Sequence, residues 1–348
     1  MPPQPTQLIE GLGRGVAYRT AYARASRRAA RIARGDRPIV VGPWLSEVGV
    51  ELLFWIPFLH WFRAEYGVGR ERVIAISRGG AEPWYSDIAS RYVDVFDHFG
   101  VNEVKRWTDE RLNATNTQKQ TEVGEADRRI LRAAREVIGT DDYELLHPSL
   151  MHQMFRTFWN WRTGENRLST VLSRTSFEPL AAPEPLGGLP SSYVAVKAYF
   201  NNCFPDDEAN RAFLRRTLGR LRERSEVVLL ATGLELDDHA DFAASAGVHT
   251  LADRMTPRNN LELQTRAIAG ADALFATLGG FSYLAAFLNV PSFSFSSDDE
   301  RFVLTHRDLM LRAGLQLAGR GARAPFAAFP ATSEGVLEGL GAGSSDRA

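Results

Sequence analysis

Residues Glu178 to Ser192 read EPLAAPEPLGGLPSS, with four prolines and two glycines in fifteen positions. Proline fixes φ, removes a backbone donor and drives the residue before it out of the helical region, so no helix or ladder strand runs through this stretch. It is a linker, with residues 181–191 as its body, and it falls near the middle of a chain of 348 residues. That length is about twice an ordinary domain, so each half is long enough to enclose a core of its own.

The same alternation appears on both sides of the linker. Before it, RPIVVG (Arg37–Gly42) reads as a buried strand. GVELLFWIPFLHWF follows as a helix, with Leu52, Leu53, Ile56, Leu59 and Phe62 at helical spacing and Pro57 expected to kink it. Strands follow at Arg72–Ser77 and Tyr92–Asp97, then helical material over 125–138 and an aromatic-rich segment at 147–161. After the linker, strands are expected at 193–198, 226–231, 249–251, 273–277 and 292–295, with helices at 207–222, 237–246, 260–269 and 282–288. Strands alternating with helices predict α/β architecture: two Rossmann-like domains, each with a parallel, helix-covered sheet. The expected partition is a basic helical extension at 1–36, a first domain at 37–180, the linker, a second domain at 192–315 and an Ala/Gly-rich segment at 316–348, with a short helix around 336–340.

Charge and cysteine content narrow the partners. A net charge of −1 provides no overall field for nucleic acid, and none is expected as a partner. The single cysteine, Cys203, rules out an intrachain disulfide and a zinc site built on several thiolates. The longest apolar run, Leu52–Leu59, is well short of the roughly 20 residues that span a bilayer. Ser26-Arg27-Arg28 resembles an export signal, but AARIARGD follows it instead of an apolar core. A cytoplasmic location is therefore expected. Residues 1–36 hold seven arginines against Glu10 and Asp36, which suits either a solvated helix packed on the body or peripheral contact with the inner face of a membrane.

The most informative turn is ATLGGFSYLAAFLNVPSF. A strand ending at Thr277 passes through Gly279 and Gly280 into a helix that Ser282 can cap. Glycines let the backbone turn sharply and approach a ligand, while amides at a helix start favour an anion such as phosphate. A tight strand-to-helix turn also needs glycine, so both accounts stand. Lys197 closes the first strand of the same domain, in a chain with 38 arginines and three lysines, and its ammonium can reach phosphates held at that turn. Phe281 flanks the turn. Thr232 and Gly233, after the next strand, line a nucleoside pocket or simply make a turn. Asn259 with Glu262 fits a capping box. Asp206, Asp207 and Glu208, like the acids at 237–238 and 298–300, suit first turns of helices and are assigned to no metal.

In the first half, GPWLSEVGVE (Gly42–Glu51) carries Glu47 and Glu51 as the only carboxylates of an apolar stretch. A partly desolvated glutamate there can take a proton from an acceptor hydroxyl, and either residue is a candidate base. Ser46 in that loop and Arg78, which precedes Gly79 and Gly80, are the acceptor-side candidates. No Asp-x-Asp, Gly-x-Ser-x-Gly or Gly-x-x-x-x-Gly-Lys-Ser/Thr occurs, and the histidines are not at metal-ligand spacings.

The segments YVAVKAYFNNCFPDDEANRAFLRRTL and NNLELQTRAIAGADALFATLGGFSYLAAFLNVPSFSF resemble the donor domain of nucleotide-sugar glycosyltransferases of the GT-B fold, most closely the heptosyltransferase-like branch. That family's phosphate turn reads Asp-Ser-Gly before a His-Leu-Ala-Ala helix; here Leu278-Gly279-Gly280 and Tyr283-Leu284-Ala285-Ala286 stand in their places. Its first-domain loop carries Gly-Asp with the aspartate as base, whereas here Gly49-Val50-Glu51 displaces the acid by one residue. The resemblance implies two domains facing across a cleft and sugar transfer from a nucleoside diphosphate sugar to a glycan or other hydroxyl acceptor. The missing Asp-x-Asp removes the commonest sequence sign of a metal-bridged site, so no metal and no cofactor beyond the donor is expected, with Lys197, Thr277, Gly279, Gly280, Phe281 and Ser282 on the donor side. A nucleotide-sugar epimerase and a binding protein without catalysis share the same pattern.

Overall fold

A computed structural model describes residues 20–117, 119–159, 167–232, 240–242, 247–298, 304–322 and 326–331. The chain forms two compact units. One takes the described residues up to Ser46 with Phe54–Arg78 and Tyr85–Ser176; the other takes Glu47–Leu53, Gly79–Trp84 and the described residues from Phe177 onward. The change of unit at Ser176 and Phe177 comes just ahead of the proline-rich stretch.

The first unit is built on a parallel sheet of β1 (Ile39–Val41), β2 (Val73–Ser77), β3 (Arg91–Asp94) and β4 (Glu144–Leu146), in the order β3-β2-β1-β4. All residues of β1 and β2 are buried, as continuous apolar runs in a sheet covered on both faces must be. The strand expected over 92–97 stops at Asp94. The Asp94 carboxylate accepts from the Phe96 amide at 2.9 Å and turns the chain into a short 3₁₀ segment, Val95–Asp97. Pro57 does not kink its helix. The chain passes through a π-helical turn, Glu51–Trp55, and the α-helix starts afresh at Ile56, so the proline lies in a first turn where no amide is needed. The helix over 20–33 packs in this unit through Ala25, Ala29, Ile32 and Ala33.

The second unit holds a parallel sheet in the order β12-β11-β10-β5-β7-β9. These strands are β5 (Val194–Lys197), β7 (Val227–Leu229), β9 (His249–Thr250), β10 (Ala273–Thr277), β11 (Ser292–Ser296) and β12 (Phe326–Pro330). A small antiparallel pair lies apart from it, β6 (Tyr199–Phe200) with β8 (Ala240–Asp241). The expected helix over 237–246 is thus a strand at Ala240–Asp241 followed by the non-helical Phe242, and 237–239 and 243–246 lie outside the described residues. Within the segment 316–348, β12 continues the sheet past residue 315, and the helix expected at 336–340 is outside the described residues. The helix Asn260–Ala269 and strand β10 have the expected bounds.

The core of this unit centres on Phe295. Its ring lies 4.8 Å from those of Phe204 and Phe275 and 5.2 Å from that of Phe213, each pair stacked, tilted or edge-on. Phe295→Ala leaves a cavity against three rings and is expected to destabilise the protein by about 3–5 kcal/mol, read as a lowered midpoint in urea unfolding.

Candidate functional site

In the second unit the chain adds strands outward from β5 through β7 to β9, then returns beside β5 and continues through β10, β11 and β12. Where strand order reverses, the connections leave the carboxyl ends of two neighbouring strands in opposite directions and open the crevice in which α/β sheets bind ligands. Here that point lies between β5 and β10, which pair with Lys197 opposite Ala276. Lys197, Thr277 and the turn through Gly279 and Gly280 into the helix carrying Ser282 lie at the ends of these two strands.

Lys197 is buried at 5% exposure, not a surface lysine. Its Nζ donates to the Leu230 carbonyl at 2.9 Å, just past β7, and sits 5.1 Å from the centre of the Phe281 ring. The Thr277 hydroxyl accepts from the Tyr199 amide at 3.1 Å and donates to the Tyr199 carbonyl at 2.8 Å, tying the ends of β5 and β10 together. The helix after the glycines spans Gly280–Phe287, beginning two residues ahead of Ser282. Ser282 reaches back from inside it: Oγ accepts from the Gly279 amide at 3.1 Å and donates to the Gly279 carbonyl at 2.7 Å. The first-turn amides of Gly280, Phe281 and Ser282 have no acceptor among the described residues. With the helix dipole behind them and the Lys197 ammonium at the same edge, they favour a negative ligand.

Both glycines also meet protein. A Cβ on Gly280 would stand 2.7 Å from the Gly49 nitrogen and 3.0 Å from Val48 Cγ1, and one on Gly279 would collide with the Tyr199 hydroxyl. The segment carrying Glu47 and Glu51 therefore crosses the start of this helix backbone to backbone. Glu47 is exposed at the head of the turn Val48–Val50, whereas Glu51 is fully enclosed at 0%. Tyr283, on the same helix, is held well above the ordinary tyrosine range by burial, with Cys203 and Glu47 adding to the effect.

Gly79 and Gly80 have φ of 73° and 78° and form a turn at another helix start: the Gly79 carbonyl accepts from the Leu261 amide at 2.8 Å. The expected capping box at Asn259 is absent. Its Oδ1 instead accepts from the Thr256 amide at 2.7 Å, leaving the Gly79 carbonyl to cap the helix. Thr232 is half-buried past β7, and Gly233 lies outside the described residues.

In the first unit the strand order also reverses, between β1 and β4, but side chains occupy that point. Gln120, 1% exposed, accepts from the Leu45 amide at 2.8 Å and donates to the Pro43 carbonyl at 2.9 Å and to Asp127 Oδ1 at 3.0 Å. Arg111 Nη2 donates to the Leu45 carbonyl at 3.0 Å; Arg78 Nη2 donates to the Ser46 carbonyl at 2.8 Å. Ser46 and Arg78, the acceptor-side candidates, are thus both buried and joined to each other. Burial lowers the Arg111 guanidinium from its ordinary value, and Asp127 offsets part of the effect. His147 follows β4. Its Nδ1 accepts from the Ser149 amide at 3.2 Å, and its Nε2 lies 3.4 Å from Asp127 Oδ2. Nearby His152 has neither ring nitrogen hydrogen-bonded, and burial lowers its pKa to about 3, with Lys119, His147 and Arg111 adding to the shift. Gln120, Asp127 and Arg111 belong to no motif; they lie in polar stretches whose burial only the fold reveals. Among the described residues no three histidine, cysteine or carboxylate groups gather in a metal-binding cluster, and no helix is long and apolar enough to cross a membrane.

No protein-family model and no curated protein matches the chain. Solved structures similar to it include glycosyltransferases, heptosyltransferases among them, and an epimerase. The iron-containing dodecameric glycosyltransferase TibC of enterotoxigenic E. coli is 12% identical with a TM-score of 0.42, over 76% of this chain and 59% of that one. The present chain thus spans 59% of that protein's length. The E. coli heptosyltransferase WaaC with ADP is 15% identical with a TM-score of 0.39, over 75% of this chain and 87% of that one. A UDP-N-acetylglucosamine 2-epimerase from Listeria monocytogenes, putative by its description, is 11% identical with a TM-score of 0.33, over 84% and 92%.

Gly280→Ala forces apart two backbones and is expected to destabilise by about 1–3 kcal/mol in thermal unfolding. Gly279→Ala meets only the tip of Tyr199, so its smaller penalty is expected to shrink further in a Tyr199→Phe background. His152 has a folded pKa below its unfolded value, so the unfolded state binds the extra proton between about pH 6.5 and 3. Its contribution is complete above about pH 6.5 and is lost as pH falls. His152→Leu is expected to flatten the acid limb of a stability-versus-pH curve; an unchanged limb would remove this residue from the acid response.

Proposed function

We propose that this chain is a glycosyltransferase of GT-B type that moves a sugar from a nucleoside diphosphate sugar to an acceptor hydroxyl, on a growing glycan, without a metal ion. The observation that carries the proposal is the convergence, at the β5/β10 reversal, of a buried lysine ammonium with three first-turn amides of a neighbouring helix. Fixed positive charge at such a point stabilises a departing diphosphate most when the donors are already in place. The absence of Asp-x-Asp agrees with a site in which lysine and backbone dipoles take the place of a cation.

In the proposed reaction the acceptor oxygen attacks the anomeric carbon and the bond from that carbon to the diphosphate oxygen breaks. The nucleoside diphosphate leaves with the electron pair beside Lys197 and the amides of Gly280 and Phe281. The acceptor proton passes to Glu47, which is the exposed member of the glutamate pair and lies on the turn against Gly280. Glu51 is enclosed and serves the packing of that turn.

Thermal unfolding against UDP, GDP, ADP, dTDP and CMP tests the donor side. One nucleotide at a hundred times its dissociation constant is expected to add about 2.7 kcal/mol, and Lys197→Ala to abolish the effect. With the matching donor and a hydroxyl acceptor, Glu47→Gln is expected to retain nucleotide binding and lower turnover by about 10²–10⁴-fold. Stabilisation by none of the five would overturn the proposal, and a product other than that of slow hydrolysis formed from donor alone would make the chain an epimerase.

A further inference from the structure

The helix over 20–33 carries Arg24, Arg27, Arg28 and Arg31, with Arg34 directly after it, and all five are exposed. At 3.6 residues per turn these positions fall within an arc of about 120° along about 15 Å of axis. The opposite side, with Ala25, Ala29, Ile32 and Ala33, is buried in the first unit. No aspartate or glutamate occurs from 20 to 34. None of the five guanidinium groups has a hydrogen bond or ion pair among the described residues. Other arginines of the same unit are answered by acids, as Arg129 is by Glu103 at 2.7 Å and Arg132 by Glu125 at 2.8 Å.

Helix stability does not account for the stripe. Arg24 with Arg27 and Arg28, and Arg31 with Arg27 and Arg28, are like-charged neighbours at three- and four-residue spacing, which repel. Arg24, Arg27 and Arg28 lie outside the last turn, where a cation gains nothing from the helix dipole. The closing carbonyl of Ala33 is already bound by Arg72 Nη1 at 3.0 Å.

We propose that this arginine face docks on an anionic phospholipid surface. A flat array of headgroup phosphates complements a straight stripe of cations, needs no pocket and relieves the repulsion within it. Nucleic acid is the weaker match. Its single-strand sites interleave cations with stacking aromatics, and this arc has none; the Tyr22 ring lies outside it and is engaged by Arg174 at 4.4 Å. The inference is independent of the proposed catalysis.

The test is co-sedimentation of the full chain with vesicles of phosphatidylcholine alone or mixed with phosphatidylglycerol. Binding only to the mixed vesicles, reversed by high salt, is expected. Replacing Arg24, Arg27, Arg28 and Arg31 by Gln is expected to reduce that binding by nearly a thousandfold, and Arg27→Gln with Arg28→Gln alone to reduce it about thirtyfold. Thermal unfolding should show both variants folded and no less stable than the parent. Equal partition to neutral vesicles, binding unchanged in both variants, or preference for an oligonucleotide over the mixed vesicles would overturn the proposal.

Discussion

The pairing of β5 with β10 organises the second unit. These strands are not consecutive in the chain, β7 and β9 lying between them, and setting them side by side brings the lysine that ends one next to the glycine turn that follows the other. The pair is locked above the ladder by the two hydrogen bonds between Thr277 and Tyr199. Tyr199 in turn lies against Gly279, so strand register, the turn and the first-turn amides of the following helix form one connected construction. The geometry of the proposed anion site is set by sheet pairing rather than by a mobile loop, which is what electrostatic stabilisation of a leaving group requires.

The two glycines have two tasks. Their lack of side chains admits the Glu47 segment on one side and Tyr199 on the other, and the same bareness leaves first-turn amides open. A residue with a Cβ at Gly280 would push away the turn that presents Glu47. Packing and proposed chemistry therefore constrain the same atoms. The first unit treats its own strand reversal differently: Gln120, Arg111 and Arg78 satisfy the backbone of residues 43–46. Side chains there do the work of a ladder.

Periodicity made much of this legible before the fold was known. The parallel sheets, the helix Asn260–Ala269, β10 and the tight turn at Gly279 and Gly280 all follow from local pattern, because buried strands and tight turns restrict residue type. What was not legible depended on distant contacts. That Glu51 is enclosed while Glu47 is exposed follows from a π-helical turn that no composition announces. Asn259 fits a cap by spacing, yet a carbonyl 180 positions away in the chain caps the helix in its place. Arg78 and Ser46 looked available for an acceptor because sequence conveys polarity, not burial.

Strand β12 comes from a stretch whose alanines and glycines suggest little structure, and it pairs along the whole length of β11. Without residues 326–330, β11 would become the sheet's open edge, offering a row of backbone donors and acceptors beside Phe293 and Phe295. Such an edge is a template for a strand from another molecule. β12 ends instead in Pro330, which has no amide to offer an incoming chain. This short segment thus satisfies the backbone groups along one side of β11 and moves the edge of the sheet to a strand that ends in proline.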